Sequence, residues 1–505
     1  MATAFPATGP TDRADRSPYL WFAVALVLSI FASGRITVPV LAWLAPIVAL
    51  RFTRTVRPAW LGYVLIAAIA VASLVVGWRG MIPLGSPARE VLIAGNALVA
   101  CVPYVADRLL RRRLAGWWAT LPFPLATTAL EFANMGSGSP MGSFGATAYS
   151  QAGQIVLLQI LSVTGLWGLT FLMAWCASAI NWAWEDGFAP ATVRRVGWTY
   201  GGVLAAVLLF GGARLALAPA AAGTVRVASM TAESIDFNAL MPMRDSDQAA
   251  FAAATRAIHD RYFERTAAEA AAGAKIVLWP EGAGVGVEED EADLIARGTA
   301  AARDGAVYLG IPFLTLYRDA ARPSENKLLV FDPAGNVVLE HVKFGGNIFE
   351  GSKKGDGVLK TVETPHGTLS GVICWDTDFI RNIAQAGRNG TDILLSPAHD
   401  WQAIDPLHGQ MTTFRAIENG MSVIRHADLG WSVITDPYGR TLASMDHFTA
   451  GDRTMVAQVP TAGVRTIYSV IGDVFGWGAV VGLFVVAAMA WRRRRAASGS
   501  PPAMP

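Results

Sequence analysis

Gly371-Val372-Ile373-Cys374-Trp375-Asp376 carries a short apolar run onto a cysteine. The run reads as a strand that delivers a thiol to its end. Three cysteines occur in the chain. Cys101 and Cys176 fall inside strongly apolar segments, so Cys374 is the one thiol of the polar region around it. A lone cysteine there has no disulfide partner. It is either a small buried hydrophobe or a reactive thiol.

Working outward, short β-branched runs alternate with polar or Ala-rich stretches from Thr224 onward. Strands are expected at 225–230, 275–280, 306–310, 327–331, 336–340, 369–373, 392–395, 421–425 and 431–435. Helices fit 247–272, 290–303, 378–388 and 407–419. Hairpin signals such as Asp332-Pro333-Ala334-Gly335-Asn336 fall between strands. The alternation predicts an α/β sandwich. Three strand ends carry candidate chemistry: Glu281 after Leu278-Trp279-Pro280, Lys343 after Leu339-Glu340-His341-Val342, and Cys374. A thiol is only a few per cent thiolate at neutral pH and needs a base. A carboxylate can take its proton, and a fixed ammonium can hold the anion that develops on an attacked carbonyl.

The rest of the chain is different. It has 505 residues, 53% hydrophobic and 16% charged, and a mean hydropathy of +0.37. Those values exceed one ordinary soluble domain. Apolar stretches near the spanning length of about 20 residues recur. Eight spans are expected, at 18–34, 36–51, 59–78, 90–107, 114–133, 155–183, 199–218 and 468–491. Alternate loops are basic: Arg51, Arg54 and Arg57, then Arg108 and Arg111 to Arg113, then Arg194 and Arg195, and finally Arg492 to Arg495. Positive-inside sorting then puts both ends in the cytoplasm and the polar region on the far side. The expected organisation is a leader over 1–17 containing Arg13 and Arg16, a seven-helix membrane domain over 18–220, an extracytoplasmic domain over 221–465, a final span over 466–491 and a basic tail over 492–505.

Glu131 falls near the outer end of the fifth span, where a charge is either functional or an interfacial group reaching water. Asp107 borders a basic loop and reads as a helix-end charge. The loop Gly136 to Gly145 is rich in Gly and Ser and reads as a flexible connection or the lining of a lipid entry path. A net charge of +2 without a basic stripe excludes nucleic acid as a partner. All seven histidines lie in the polar region without paired metal-ligand spacing. His399, Asp400 and His408 either converge near the site or, the more common case, serve in surface or loop roles.

Trp279-Pro280-Glu281, then Lys343, then Cys374-Trp375-Asp376, resembles the nitrilase (carbon–nitrogen hydrolase) superfamily triad in order and spacing. Phe414-Arg415-Ala416-Ile417-Glu418 and Gly430-Trp431-Ser432 through Arg440 are similar to that family's C-terminal half. A domain of this kind set before a final span resembles the apolipoprotein N-acyltransferases. Tyr149-Ser150-Gln151, Leu158-Gln159, Gly165-Leu166-Trp167-Gly168, Thr466-Ile467-Tyr468 and Gly472-Asp473 extend that likeness beyond the domain. There are departures. The family's stretch after the lysine, close to His-Leu-Val-Pro-Phe-Gly-Glu, is Phe344-Gly345-Gly346-Asn347-Ile348-Phe349-Glu350, with the glutamate one position early. Cys-Tyr-Glu becomes Cys374-Trp375-Asp376, and Gln-Gly-Asn becomes Met230-Thr231-Ala232.

The resemblance implies an αββα sandwich and a Cys374 thioester, with Glu281 as base and Lys343 as oxyanion holder. Glu350, Trp375, Asp376, Trp401 and Trp431 would be auxiliary or substrate-binding, the tryptophans serving otherwise as core or interfacial aromatics. A phospholipid would donate the acyl group and the N-terminal amine of a lipid-modified lipoprotein would accept it, among membrane lipids. The implied enzyme is a monomer of the bacterial inner membrane that needs no cofactor or metal. The alternative is a membrane-anchored amidase or an acyltransferase with another acceptor.

Overall fold

The computed structural model describes residues 17–136, 139–319 and 321–498. The leader with Arg13 and Arg16, Ser137 and Gly138 of the Gly-rich loop, and the tail after Ser498 lie outside the described residues.

The polar region folds around thirteen strands: β1 (Thr224–Met230), β2 (Ile276–Leu278), β3 (Gly284–Val287), β4 (Tyr308–Leu316), β5 (Glu325–Phe331), β6 (Val337–Val342), β7 (Thr361–Thr364), β8 (Gly367–Gly371), β9 (Ile393–His399), β10 (Ser422–Asp428), β11 (Trp431–Thr435), β12 (Thr441–Asp446) and β13 (Thr454–Pro460). One sheet runs β13-β1-β2-β4-β5-β6, with β3 also on β4; the other runs β12-β11-β10-β9-β8-β7. Val227, Leu278 and Leu328 of the first face Leu369, Ile393 and Ile424 of the second in a shared core. Helices Gln248–Ala271 and Glu291–Gly305 cover the outer side of the first sheet, and Ile380–Arg388 and Leu407–Asn419 cover the second. This is an α/β sandwich, as the alternating pattern predicts, in the αββα order that the resemblance implies.

The expected strands and helices are present with shifted ends, and four strands are added. β7 and β12 are edge strands in hairpins with β8 and β11, whereas the short β3 pairs with β4 and the edge strand β13 pairs antiparallel with the distant β1. β4 runs past the expected 306–310 to Leu316, through Pro312. A proline inside a run argues against a strand on sequence grounds.

Among the described residues, five helices are long and apolar enough to cross a membrane: Ala59–Gly77, Ala88–Arg113, Leu166–Glu185, Pro190–Ala216 and Val474–Arg493. Pro18–Ile30, Pro39–Thr55 and Pro122–Gly136 fall at three more expected spans but have 13, 17 and 15 residues. The expected span 155–183 is broken. Two single turns, Ile155–Leu158 and Leu161–Thr164, stop at Gly165, and the long helix starts at Leu166. Gly165 has φ +61°, and a Cβ there would lie 2.5 Å from the Tyr468 ring, so only glycine fits. The helix expected from 199 starts at Pro190.

Two charges in this half differ from expectation. Asp107 is no exposed helix end: it is 1% exposed and takes Arg54 at 2.7 and 2.9 Å. Arg111 joins Asp107 at 3.5 Å and Glu185 at 2.6 Å. Glu131 is turned into the helix bundle, where Thr170 Oγ1 donates to it at 2.9 Å and Thr147 donates through both its amide and its hydroxyl. It lines a 320 Å³ cavity with Tyr104 and Asn134.

The two halves interlock. Gln159 Nε2 donates to the Tyr438 carbonyl at 3.0 Å, and Trp167 Nε1 and Tyr468 Oη both donate to Asp473 at 2.9 Å. Tyr149 meets Phe414 edge-on at 4.9 Å between centroids. The short motifs outside the sandwich thus make its seam.

Candidate active site

The parallel strands β2, β8 and β9 end on one side of the sandwich, where layered α/β folds collect their ligands. Glu281 follows β2, Lys343 follows β6, Cys374 follows β8, and His399-Asp400 close β9.

Cys374 opens a short 3₁₀ turn, Cys374–Asp378, with φ +46°. A non-glycine residue in the left-handed region costs of order 1 kcal/mol and marks a position the fold over-determines. The turn is held by Asp376. Its Oδ1 accepts the amides of Phe344 (3.0 Å) and Gly345 (2.7 Å), and its Oδ2 accepts the Ile373 amide (2.9 Å) and pairs with His341 Nε2 (2.8 Å). Asp376 is wholly buried and ties the loop after β6 to the cysteine turn. Of the two roles expected for it, auxiliary or substrate-binding, Asp376 is placed for the first, holding the cysteine turn rather than lining the pocket. Gly345 permits that closeness, since a Cβ there would meet the Phe379 ring at 2.5 Å.

Lys343, fully buried, donates to Glu281 Oε1 at 2.7 Å and also pairs with Glu350. Asn326 Nδ2 donates to the same Glu281 oxygen at 2.7 Å, and the His399 amide donates to Oε2 at 2.9 Å. Burial works against the Glu281 carboxylate, but the Lys343 ammonium outweighs it and holds the group below the usual range. Burial would also strip Lys343 of its proton; Glu281 and Glu350 reverse this and keep it an ammonium. Glu350, about a third exposed (35% of its side chain), is pushed up, mainly by burial. The one-residue displacement of Glu350 is absorbed by the helical turn Asn347–Glu350, which swings its carboxylate back to Lys343.

The thiol itself is 4% exposed. Burial first, then the negative charges of Glu281 and Asp400, push it up well beyond the ordinary range; Lys343 and Arg425 pull the other way. Its sulfur lies 3.8 Å from Asp400 Oδ1 and 3.8 Å from the His399 carbonyl. Asp400 is 2% exposed and His408 fully buried, so the surface role, the more common of the two expected for them, is wrong. Sequence gave little sign of this, because the ion partners that let charges bury stand on three other elements. Arg425 holds Asp400 at 2.9 and 3.0 Å, and His408 bridges Asp400 and Asp378 at 2.9 Å each. Cys374, Asp400 and His408 could together reach one cation. Arg425 lies 2.9 Å from His408 Nδ1, and its guanidinium charge is a poor neighbour for a metal.

A 680 Å³ cavity opens over Cys374, lined by Glu281 and Glu350 at one side, Trp375 and Trp401 at another, and Met241 and Leu316 toward the mouth. Trp375 and Trp401 stack at 6.1 Å, and each is tied to the membrane half: Trp401 Nε1 donates to the Gly80 carbonyl at 2.8 Å, Trp375 Nε1 to Met141 at 3.3 Å. Trp431 is elsewhere, with its indole against Gly409. Beyond Trp375, a 930 Å³ cavity of mainly apolar lining lies between membrane helices, walled by Trp78, Phe144 and residues 139–145 of the Gly-rich loop.

The carbon–nitrogen hydrolase model matches residues 226–468. The chain is 27% identical to the apolipoprotein N-acyltransferase of Geobacter metallireducens over 438 residues, covering 78% of this chain and 79% of that one. It is 26% identical to the enzyme of that name from Rhodopseudomonas palustris, covering 67% of each. A solved amidase from Nesterenkonia sp. AN1 overlays with a TM-score of 0.39 at 18% identity, covering 50% of this chain and 94% of the amidase. Residues 226–468 thus resemble a carbon–nitrogen hydrolase domain, and the chain is similar over 67–78% of its length to proteins named apolipoprotein N-acyltransferase.

Proposed function

We propose that the protein transfers a fatty acyl group from a phospholipid, through a thioester on Cys374, to the N-terminal amine of a diacylglyceryl-cysteine lipoprotein. The observation that carries this reading is the meeting of Glu281, Lys343 and Cys374 at a pocket whose tryptophans are bonded to the membrane half.

Glu281 takes the thiol proton, and the thiolate attacks the acyl ester carbonyl. Lys343, already an ammonium, faces the oxyanion of the tetrahedral state. Glu281 then returns its proton to the departing lysophospholipid alkoxide, leaving the thioester. The acceptor amine attacks in turn, gives its proton to Glu281, and the thiolate leaves. Glu350 balances the Lys343 charge from the pocket side. Trp375 and Trp401 wall the acyl chain. Neither half-reaction calls for a cofactor.

The same reading assigns the eight apolar helices to eight spans, with 18–220 as the membrane domain, 466–491 as the last span and 221–465 on the extracytoplasmic face of the inner membrane. The basic loops support that orientation. Arg51 and Arg54 serve it from within the helix Pro39–Thr55 rather than from a loop. The working unit is a monomer.

The test is intact-mass analysis after incubation with phospholipid vesicles. Wild type should gain a fatty-acyl mass that hydroxylamine removes, and Cys374→Ser should gain no hydroxylamine-labile mass. A diacylated lipopeptide should then discharge the adduct as a triacylated product. Turnover of small amides without any acyl adduct would sink the reading in favour of a membrane-anchored amidase.

A further inference from the structure

The nucleophile has a second carboxylate beside it, in addition to Glu281. The Cys374 sulfur sits 3.8 Å from Asp400 Oδ1, hydrogen-bond range for sulfur, while the Glu281 oxygens are turned to Lys343, Asn326 and the His399 amide. Asp400 has no freedom to move. Arg425 grips both its oxygens, His408 Nδ1 meets Oδ1 at 2.9 Å, and its own amide donates to the Asp428 carbonyl at 2.9 Å. Gly430 closes the last side, since a Cβ there would lie 2.6 Å from Asp400 Oδ2. His408 is fixed in turn by Asp378 at 2.9 Å. Asp378 and Asp400 against Arg425 and a doubly hydrogen-bonded imidazolium make a charge-balanced clamp. The clamp is complete without the thiol, so nothing about burial alone requires the sulfur to lie on it.

We infer that Asp400 is a positioning residue that holds the resting Cys374 thiol as a hydrogen-bond donor, and that the thiol must turn from Asp400 to Glu281 before it can attack. This rests on the proposed role of Cys374 and adds a resting position to it. A thiol donating to a fixed carboxylate keeps its proton, and a protonated thiol is a poor nucleophile and a poor target for oxidants. When the thiol turns, its proton passes to Glu281, the thiolate faces Lys343, and the Asp400 clamp keeps its own protons. The groups facing the sulfur are Glu281 and Lys343 on the reacting side and Asp400, Arg425 and His408 on the resting side.

The far end of the clamp touches the membrane half. The Ser143 amide donates to the Asp378 carbonyl at 2.8 Å, and Phe144 meets the His408 ring edge-on at 6.0 Å. Both belong to the loop that walls the membrane cavity.

The test is the pH profile of Cys374 alkylation by iodoacetamide, measured on the full chain in nanodiscs with Cys101 and Cys176 changed to Ala. Asp400→Asn removes the acceptor's charge, so the profile should move to lower pH and alkylation at neutral pH should rise about tenfold. Asp400→Glu should keep the wild-type profile. A folded Asp400→Asn protein with an unmoved profile would overturn the inference, as a merely structural aspartate predicts. Should Asp400→Asn not fold, the infrared S–H stretch of the protein carrying those two Ala changes decides. A band displaced as for a carboxylate-bonded thiol supports the inference, and the band of a free thiol refutes it. The acyl adduct on wild type is read separately, so failure of this inference leaves the reaction itself standing.

Discussion

Each half of the molecule buries a cluster of ions, and the two clusters are balanced differently. In the membrane half, Arg54 and Arg111 face Asp107 and Glu185, two charges against two. In the sandwich, the single ammonium of Lys343 faces both Glu281 and Glu350, with a thiol beside them. The first cluster is a staple between helices. The second borders a 680 Å³ cavity and carries one carboxylate more than it has cations. A surplus carboxylate beside a cavity can take up a proton, whereas a balanced pair has no reason to exchange one. Burial is common to both; what distinguishes the reactive cluster is its imbalance and its access.

That contrast breaks if the two clusters respond alike to losing a cation. Lys343→Met should lower acyl transfer by about two to three orders of magnitude, the scale of losing one oxyanion donor. Arg54→Met should leave the rate per folded molecule near wild type and instead cost about 3–5 kcal/mol of stability, from the carboxylates it strands. Single-turnover acylation and thermal unfolding in the same detergent separate the two. Equal loss of rate in both variants would remove the distinction.

The imbalance itself can be tested. Glu350→Gln leaves Lys343 with one carboxylate partner, and acyl transfer should fall about tenfold, roughly 1.4 kcal/mol of barrier, with little change in unfolding. A larger effect on unfolding than on rate would make Glu350 a structural partner.

The smallest effect concerns the seam between the halves. Burial pushes Glu418 up to about 7, Arg415 at 3.1 Å offsetting only part of it. A carboxyl raised in the folded state contributes stability that is complete below its ordinary range and is lost as pH rises through 7. Unfolding measured from pH 5 to pH 8 should carry that loss, at most about 1.4 kcal/mol per pH unit. Glu418→Gln should flatten it.

The sequence reached the sandwich and the meeting of Glu281, Lys343 and Cys374 for one reason. Each residue stands at the end of a strand, and strand ends are written locally, in runs such as Leu369 to Ile373. Glu350, at the end of the helical turn Asn347–Glu350, is legible through the family resemblance instead. Trp375 and Trp401 were named together with Trp431, and only the fold separated them, because which face an indole meets depends on its neighbours in space. Which of its two expected roles Asp376 takes depends on the fold in the same way: four donors from three segments turn it inward, away from the pocket.

By itself, then, the sequence determined which segments are apolar enough for membrane or core, where strands stop, and which side chains stand at those stops. These follow from hydrophobic periodicity and local backbone preference. Only the tertiary structure decided that Asp107 is a buried partner rather than a helix-end charge, and that Asp400 and His408 lie against the nucleophile. A charge is buried when partners from other elements neutralise it, and Arg54, Arg425 and Asp378 reach theirs through packing that no local pattern encodes.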